Sequence, residues 1–250
     1  MRSFFLGFIS LFLFFEDAAA NVWVNRIRAF EQSGLPFFYN SAVQKKIDTL
    51  LLNQKNKTSV MAGRQTVFQP YIDKARQIYG LPWFIQYLPA SNTGLETRYT
   101  DGDGCTGIWP LNFSVGKKYG LKQNSILDER RSVTASSYAA CHYIKDLQAI
   151  YKDWSKTILA FRIGAVRLNQ AIRQADNSLK IEDIYEQLSS TEKSHVVDFY
   201  ATLAVMHHLS DVGITKENFP VLNADTASVF CLIPIAFFEE KTGISSAELL

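Results

Sequence analysis

Cysteine is scarce in this chain, with only Cys105, Cys141 and Cys231 among its 250 residues. Three cysteines allow at most one disulfide bond, which excludes a small fold held together by several such bonds. We predict buried, free cysteines, because an unpaired thiol behaves in a protein as a small apolar side chain. The sequence leaves open whether Cys105 and Cys141 lie within bridging distance.

An excess of charge of either sign is also missing. The chain has 26 basic and 24 acidic residues and a formal net charge of +2, so it lacks the basic surplus typical of nucleic-acid binding. We therefore expect no nucleic-acid partner. Internal repeats and low-complexity segments are absent too. Because 47% of the residues are hydrophobic, the chain can fold into a globular protein with a sizeable core.

The apolar run over residues 4–15 is too short to cross a bilayer, which takes about 20 apolar residues. It follows Arg2 and precedes three alanines that end at Ala20. This order is typical of a secretory signal peptide, so we predict one over residues 1–20, with a membrane anchor as the alternative. Secretion across an inner membrane would place the mature chain in the periplasm or cell envelope, without an integral membrane span.

Apolar residues recur at three- and four-residue spacings through most of the remaining chain, which predicts amphipathic helices. We predict a helix that begins near Pro82 and helices over residues 22–30, 41–52, 67–79, 114–119, 132–151, 157–161, 166–172, 181–188, 196–209, 235–241 and 246–250. In the 196–209 helix the apolar residues predict one buried stripe. Loops are predicted over the polar residues 53–59 and the glycine-containing residues 92–107. One short strand fits near Val229, but no segment alternates with period two for long enough to require a sheet.

Two motifs stand out in the middle of the chain: YLPASNTGLE over residues 87–96 and GCTGIWPL over residues 104–111. Together with DERR over residues 128–131 and AACHYIKDL from Ala139, they resemble the catalytic domain of lytic transglycosylases, in particular the membrane-bound type D group. Enzymes of this family cleave the glycan strands of peptidoglycan in bacterial envelopes.

The resemblance implies an all-α fold within the α+β lysozyme-like superfamily, with a cleft that binds peptidoglycan glycan strands. It implies neither a cofactor nor a metal. The chain is predicted to divide, after the signal peptide, into an N-terminal helical segment (21–79), a lysozyme-like domain (80–175), a helical continuation of that domain (176–219) and a short C-terminal extension (220–250).

Family enzymes use one glutamic acid, which protonates the glycosidic oxygen and then, as a carboxylate, takes a proton from the sugar's own 6-hydroxyl to close a 1,6-anhydro ring. The first motif aligns this glutamate with Asn92. An amide has no proton that titrates near neutral pH, so it serves neither as general acid nor as general base. We therefore predict little or no cleavage, since this role alone contributes about 10²- to 10⁴-fold.

Other positions that contact substrate in the family differ as well. Pro110 stands where the family has glutamine, Phe161 and Arg162 replace tyrosine and asparagine, and His195 replaces tyrosine. The candidate substrate-binding residues carried over from the resemblance are Thr93, Gly107, Trp109, Pro110, Phe161, Arg162 and His195. Aromatic residues that fit either stacking on sugar rings or core packing are Tyr99, Trp109, Tyr119 and Phe161.

Glu96 is the candidate substitute acid, because in an unbroken helix it would lie one turn beyond Asn92 on the same face. One turn is about 5.4 Å, however, and a general acid must come within about 3 Å of its oxygen. Gly94 predicts that the helix ends first. Glu129, in DERR, is interpreted as an ion-pair partner of nearby arginines.

The remaining titratable clusters predict no metal site and no thiol chemistry. Asp101 and Asp103 lack the further oxygen ligands of a calcium loop and predict a polar turn. The adjacent His207 and His208 point in different directions on a helix, which disfavours a shared metal. A thiol nucleophile at Cys105 has no natural role on a glycosidic bond.

Three functions remain open at this point. The leading hypothesis is a secreted protein of the lytic transglycosylase family that binds peptidoglycan strands with little or no cleavage. The rival is an active lytic transglycosylase that uses Glu96 and releases 1,6-anhydro products. The third is a non-enzymatic envelope scaffold whose cleft binds a protein partner.

Overall fold

The computed structural model describes residues 22–219 and 234–243, and the chain divides after Phe219 into two compact units. Four sequence predictions lie outside the described residues, so they stay predictions: the signal peptide over residues 1–20, the strand near Val229, the helix over residues 246–250 and the free state of Cys231.

Helices form almost all of the regular structure in the described residues, which confirms the predicted all-α class. They are α1 (22–28), α2 (Ser41–Asp48), α3 (Lys55–Ile78), α4 (Leu88–Thr93), α5 (Phe113–Lys118), α6 (Val133–Tyr151), α7 (Trp154–Ile163), α8 (Ala165–Gln174), α9 (Ile181–Glu186), α10 (Ser190–His207) and α11 (Ile235–Thr242). A 3₁₀ turn over Trp83–Tyr87 leads into α4, at the helix predicted to begin near Pro82. No helix among the described residues combines the length and apolarity needed to cross a membrane.

The predicted loop over residues 53–59 is wrong, because α3 begins at Lys55. Its first residues are polar because they face solvent, and only Thr58 among them is buried. The Thr58 hydroxyl donates to the carbonyl oxygen of Leu50 at 2.8 Å, which ties this turn to the preceding segment. A polar stretch therefore marks an exposed helix end here rather than a loop.

Helix α10 begins at Ser190, before the predicted residue 196. A capping box starts it: Glu192 donates its backbone N–H to the Ser189 side chain, and the Glu192 carboxylate accepts the Ser189 backbone N–H. This spacing, serine followed three residues later by glutamate, is a sequence signal for a helix start that the apolar periodicity alone misses.

The prediction of one buried stripe on α10 is also wrong. From Val196 to Met206 every residue except Asp198 is buried, because α2, α4 and α7 pack against different sides of the helix. A helix that is buried on nearly all sides lies inside the core. The other helices are therefore arranged around α10.

A buried hydroxyl fixes α10 to two neighbouring segments. Tyr200 donates to the carbonyl oxygen of Pro36 at 2.6 Å, and its oxygen lies 2.7 Å from the Ser155 hydroxyl on α7. Burial raises the pKa of the Tyr200 phenol, so the group stays a neutral donor. A buried polar group that is hydrogen-bonded on both sides has a small net desolvation cost, and its hydrogen bonds specify how α10 packs against these segments.

The segment between α4 and α5 is folded by short pairings rather than by a sheet. Thr106 forms isolated β-bridges with Thr100 and with Leu111. Arg130 closes this loop by donating to the carbonyl oxygens of Gly104 at 2.9 Å and Leu111 at 3.1 Å. The loop is thus held by backbone and guanidinium contacts in a fixed shape.

The interpretation of Glu129 as an ion-pair partner is wrong within the described residues. Its carboxylate accepts the backbone N–H of Lys122 at 2.7 Å, and Asp128 is the residue that pairs with Arg130, at 2.7 Å. The Arg130 hydrogen bond holds the pKa of Asp128 below its usual range. DERR therefore has the structural role expected of it, through a different carboxylate.

The C-terminal unit contains α11, which confirms the helix predicted over residues 235–241. Pro234 precedes its first turn, where a proline costs no hydrogen bond, and Gly243 ends it in the left-handed conformation.

The DERR segment (residues 128–131) passes so close to Gly107 that only glycine fits at this position. Its φ is +83°, and a Cβ at this position would lie 1.9 Å from the carbonyl oxygen of Arg130. We expect Gly107→Ala to lower the free energy of unfolding by roughly 2–4 kcal/mol, from left-handed strain and overpacking together. Chemical denaturation measures the change.

Gly102→Ala is the matched control in the same loop, because a Cβ there meets nothing within 4 Å. We expect this variant to stay within about 0.5 kcal/mol of the parent. Equal stabilities for the two variants would contradict the close approach of Arg130.

Candidate functional site

A groove runs along one face of α10 and consists of two neighbouring cavities. We call them the Asn92 cavity, of about 530 Å³, and the Arg162 cavity, of about 510 Å³. Tyr99 lines both of them. Helix α10 contributes Thr191 and His195 to the Arg162 cavity and Thr202 to the Asn92 cavity. Their spacings of four and seven residues place these side chains on one helix face.

Asn92 lies in the last turn of α4 and lines the cavity named after it. The helix ends as predicted, because Gly94 adopts φ 60° at its C-cap. The side-chain nitrogen of Asn92 is buried and has no hydrogen-bond partner among the described residues. An unpaired buried amide nitrogen is costly, because one of its hydrogen bonds to water is lost without replacement.

Thr93 anchors the end of α4 to the loop that carries the second motif. Its side chain is 8% exposed, and its hydroxyl lies 3.1 Å from the carbonyl oxygens of Pro89 and Ile108. Thr93 also lines the Asn92 cavity. Its hydroxyl is engaged by the protein, and its predicted contact with substrate stays a prediction.

Glu96 lines the Asn92 cavity but does not continue α4. Its side chain is 56% exposed and lies 3.5 Å from Arg64, which also donates to the carbonyl oxygen of Gly94 at 3.1 Å. A neighbouring guanidinium and open solvent surround this carboxylate. A general acid needs the opposite surroundings, an apolar pocket that keeps the proton on the group.

The motif residues Gly107 and Trp109 lie beneath the groove. Both are buried. Trp109 donates its indole N–H to Ser137 on α6 at 2.9 Å and meets the ring of Phe161 edge-on. These contacts support a packing role, while substrate contact by Gly107 and Trp109 stays a prediction. Pro110 is buried too, but it lines the Arg162 cavity.

Arg162, at the end of α7, faces the Arg162 cavity together with Phe161, Asp101 and His195. Burial lowers the pKa of its guanidinium, and its Nε atom is buried without a hydrogen-bond partner among the described residues. The structure therefore brings four sequence candidates together here: Pro110, Phe161, Arg162 and His195.

The acidic loop beside this cavity is a polar turn, as predicted. The Asp101 carboxylate accepts the backbone N–H groups of Asp103 and Cys105, at 3.0 and 2.9 Å. Burial, followed by the charge of Asp101, raises the pKa of the Cys105 thiol. Cys105 and Cys141 are both free, and a thiol with a raised pKa is a poor nucleophile.

Three other residues considered from the sequence lie outside the groove lining. Tyr119 donates its hydroxyl to Asp146 at 2.8 Å. His207 contacts the aromatic ring of Trp83, with centroids 4.6 Å apart, and His208 lies 3.3 Å from Asp211. These contacts are structural, so neither histidine is directed at the groove.

Charged residues from other helices complete the Asn92 cavity, and the sequence analysis misses them. They are Lys46 on α2 and Lys57 and Arg64 on α3. Lys46 also pairs with Asp198 of α10 at 2.8 Å. No local motif marks these residues, because only the tertiary structure brings α2 and α3 to one cavity with the end of α4.

His195 provides a titration test of the groove. Burial and, next, the charge of Arg162 lower its pKa from 6.5 to about 4, against the opposing charges of Asp198, Glu192 and Asp101. We expect NMR to show an imidazole midpoint near 4 in the parent protein and a higher midpoint in Arg162→Gln.

The same shift makes the folded protein less stable as pH falls. Below about 6.5 the unfolded chain takes up a proton on His195 that the native state refuses until about 4. The loss of unfolding free energy should therefore develop between pH 6.5 and pH 4 and be smaller in His195→Gln.

For the NMR titration, exposed Arg173→Gln is the control. An unchanged His195 midpoint in Arg162→Gln would contradict the role given to the Arg162 charge.

The comparisons with known proteins agree with this geometry. The family model described as the transglycosylase SLT domain matches residues 70–184, which include α4, the loop and α7. Membrane-bound lytic murein transglycosylase D of Escherichia coli, in strain K12 and in strain O6:H1, is 29% identical over 175 residues that cover 68% of this chain. The chain spans 38% of the length of these relatives. With its helical, lysozyme-like fold, this chain therefore resembles the lytic transglycosylases over the matched residues.

Proposed function

We propose that this protein binds the glycan strands of peptidoglycan in the groove along α10 and cleaves them little or not at all. The family supports the ligand class, since the related curated proteins are named murein transglycosylases. The observation that carries the proposal is Asn92 in the last turn of α4, at the position that the sequence motif aligns with the family's catalytic glutamate.

The missing chemistry concerns proton transfer. Breaking a glycosidic bond with closure of a 1,6-anhydro ring needs one group that gives a proton to the leaving oxygen and later takes one from the 6-hydroxyl. The carboxamide of Asn92 can donate or accept a hydrogen bond, but it cannot complete either proton transfer near neutral pH. Hydrogen bonding alone supports binding without the roughly 10²- to 10⁴-fold contribution of acid–base catalysis.

The carboxylates that line the groove are poorly suited to replace the missing acid. Glu96 is exposed and lies beside Arg64, and Asp101 is engaged by two backbone N–H groups of its own turn. Asp103 is exposed at the edge of the Arg162 cavity. None of these three carboxylates has the apolar surroundings typical of a general acid, which must give a proton in the first step.

The groove keeps features suited to sugars. Tyr99, Tyr143 and Phe161 contribute aromatic surface to its lining, and sugar rings pack their apolar faces on such rings. Thr191 and Thr202 add hydroxyl groups from α10. Binding of glycan strands is thus compatible with the lining even where the acid is absent.

We further propose that the protein acts in the bacterial cell envelope. The predicted signal peptide over residues 1–20 would direct it across the inner membrane. The related curated proteins are membrane-bound by name. An envelope protein partner in the groove is the alternative, and sugar binding distinguishes the two.

Incubation with purified peptidoglycan sacculi tests the proposal. We expect the unmodified protein to sediment with sacculi and to release no 1,6-anhydro-muropeptides detectable by mass spectrometry. Asn92→Glu should raise product formation by at least about 10²-fold, because it supplies the titrating group.

Asn92→Gln is the matched control, since its amide side chain has the length of glutamate and no titrating proton. It should bind sacculi and stay inactive, and Glu96→Gln should change nothing. Anhydro products from the unmodified protein that disappear in Glu96→Gln would establish the rival enzyme. Failure to sediment with sacculi would favour the protein-partner scaffold.

A further inference from the structure

The two halves of the groove differ in charge. The Asn92 cavity is lined by the cations Lys46, Lys57 and Arg64 and by one carboxylate, Glu96, which gives it a net charge of +2. The ionised side chains that line the Arg162 cavity are Asp101, Asp103 and Arg162, a net of −1 with His195 neutral. A ligand that lies along the groove therefore meets positive potential at one end only.

The cations of the Asn92 cavity are not equally available to a ligand. Lys46 is paired with Asp198 at 2.8 Å. Arg64 has one contact with Gly94 and a looser one with Glu96, at 3.5 Å. Lys57 is exposed and has no carboxylate within 4.0 Å among the described residues. Lys57 is thus the cation whose charge is most available to a ligand, and Arg64, with its looser ion pair, is the next.

Two further features of this cavity suit a negative group. Lys57 lies in the first turn of the 24-residue helix α3, where no acidic side chain is present and the N-cap residue Gln54 makes no side-chain cap. Gln54 lines the same cavity, and the start of a helix favours anions. Asn92 adds a neutral side chain to the lining. Where a carboxylate at position 92 would repel an anion, the uncharged amide does not.

We propose that the Asn92 cavity binds a carboxylate carried by the glycan strand, with Lys57 and Arg64 as its charged contacts. In peptidoglycan this carboxylate belongs either to the lactyl ether of a muramoyl sugar or to the peptide attached to it. The inference rests on the proposed function and deepens it, because it fixes which end of the groove receives the acidic substituent. A neutral sugar polymer lacks this contact.

Three oligosaccharides of equal length test this site by calorimetric titration of the full chain. One is a neutral N-acetylglucosamine oligomer, the second is a peptidoglycan strand without peptides, and the third carries its peptides. We expect the carboxylated ligands to bind roughly 3-fold or more tightly than the neutral one, as one partly exposed charge contact allows. The difference should diminish in high salt, which screens exposed charges.

Lys57→Gln should remove most of this preference and leave the affinity for the neutral oligomer unchanged. Lys74→Gln, an exposed lysine further along α3, is the matched control and should preserve the preference. If the peptide-free strand binds more tightly than the neutral oligomer, the bound group is the lactyl carboxylate. If only the strand with peptides binds more tightly, the bound group is a peptide carboxylate. Either result supports the site.

Equal binding of neutral and carboxylated ligands would overturn this inference while the proposed function stands. An equal loss of affinity for all three ligands in Lys57→Gln would also overturn it, since that result indicates a structural role for Lys57. Absence of binding by all three would overturn the proposed function and the inference with it.

Discussion

The burial of α10 on nearly every side is the constraint on which the rest of the structure depends. Helices α2, α4 and α7 cover it from different directions, so their relative positions are fixed by one shared surface. His195, a polar residue of α10 outside the core, lines the groove, and Asp198 pairs with Lys46 of the groove lining. The helix that organises the core is therefore also a wall of the site.

This arrangement leaves the shape of the groove independent of the side chain at position 92. The positions that shape the groove act through packing and backbone contacts: Gly107 under Arg130, Trp109 against Ser137 and Thr93 against Ile108. None of these contacts involves the side chain at position 92. Replacing a carboxyl group by an amide at Asn92 removes proton transfer while the surrounding framework keeps its geometry.

Local patterns in the sequence were sufficient for much of the fold. Apolar periodicity located most helices, and Gly94 correctly predicted the end of α4 before Glu96. The failures have physical causes. Residues 53–59 were misassigned because a solvent-facing helix end is as polar as a loop, and the surroundings of α10 were misjudged because periodicity does not record how many neighbours cover a helix. In DERR the pattern predicted ion pairing but not that Asp128 would be the partner of Arg130.

The sequence by itself determined the all-α class, the motifs that carry the family resemblance and the amide at position 92, because each is a property of residue types at fixed spacing. Only the tertiary structure decided that Glu96 pairs with Arg64, that Arg162 and His195 share one cavity, and that Lys46, Lys57 and Arg64 meet beside Asn92. These residues are far apart in the chain, and the electrostatic character of the groove depends on distances that only the packing of α2, α3 and α10 sets.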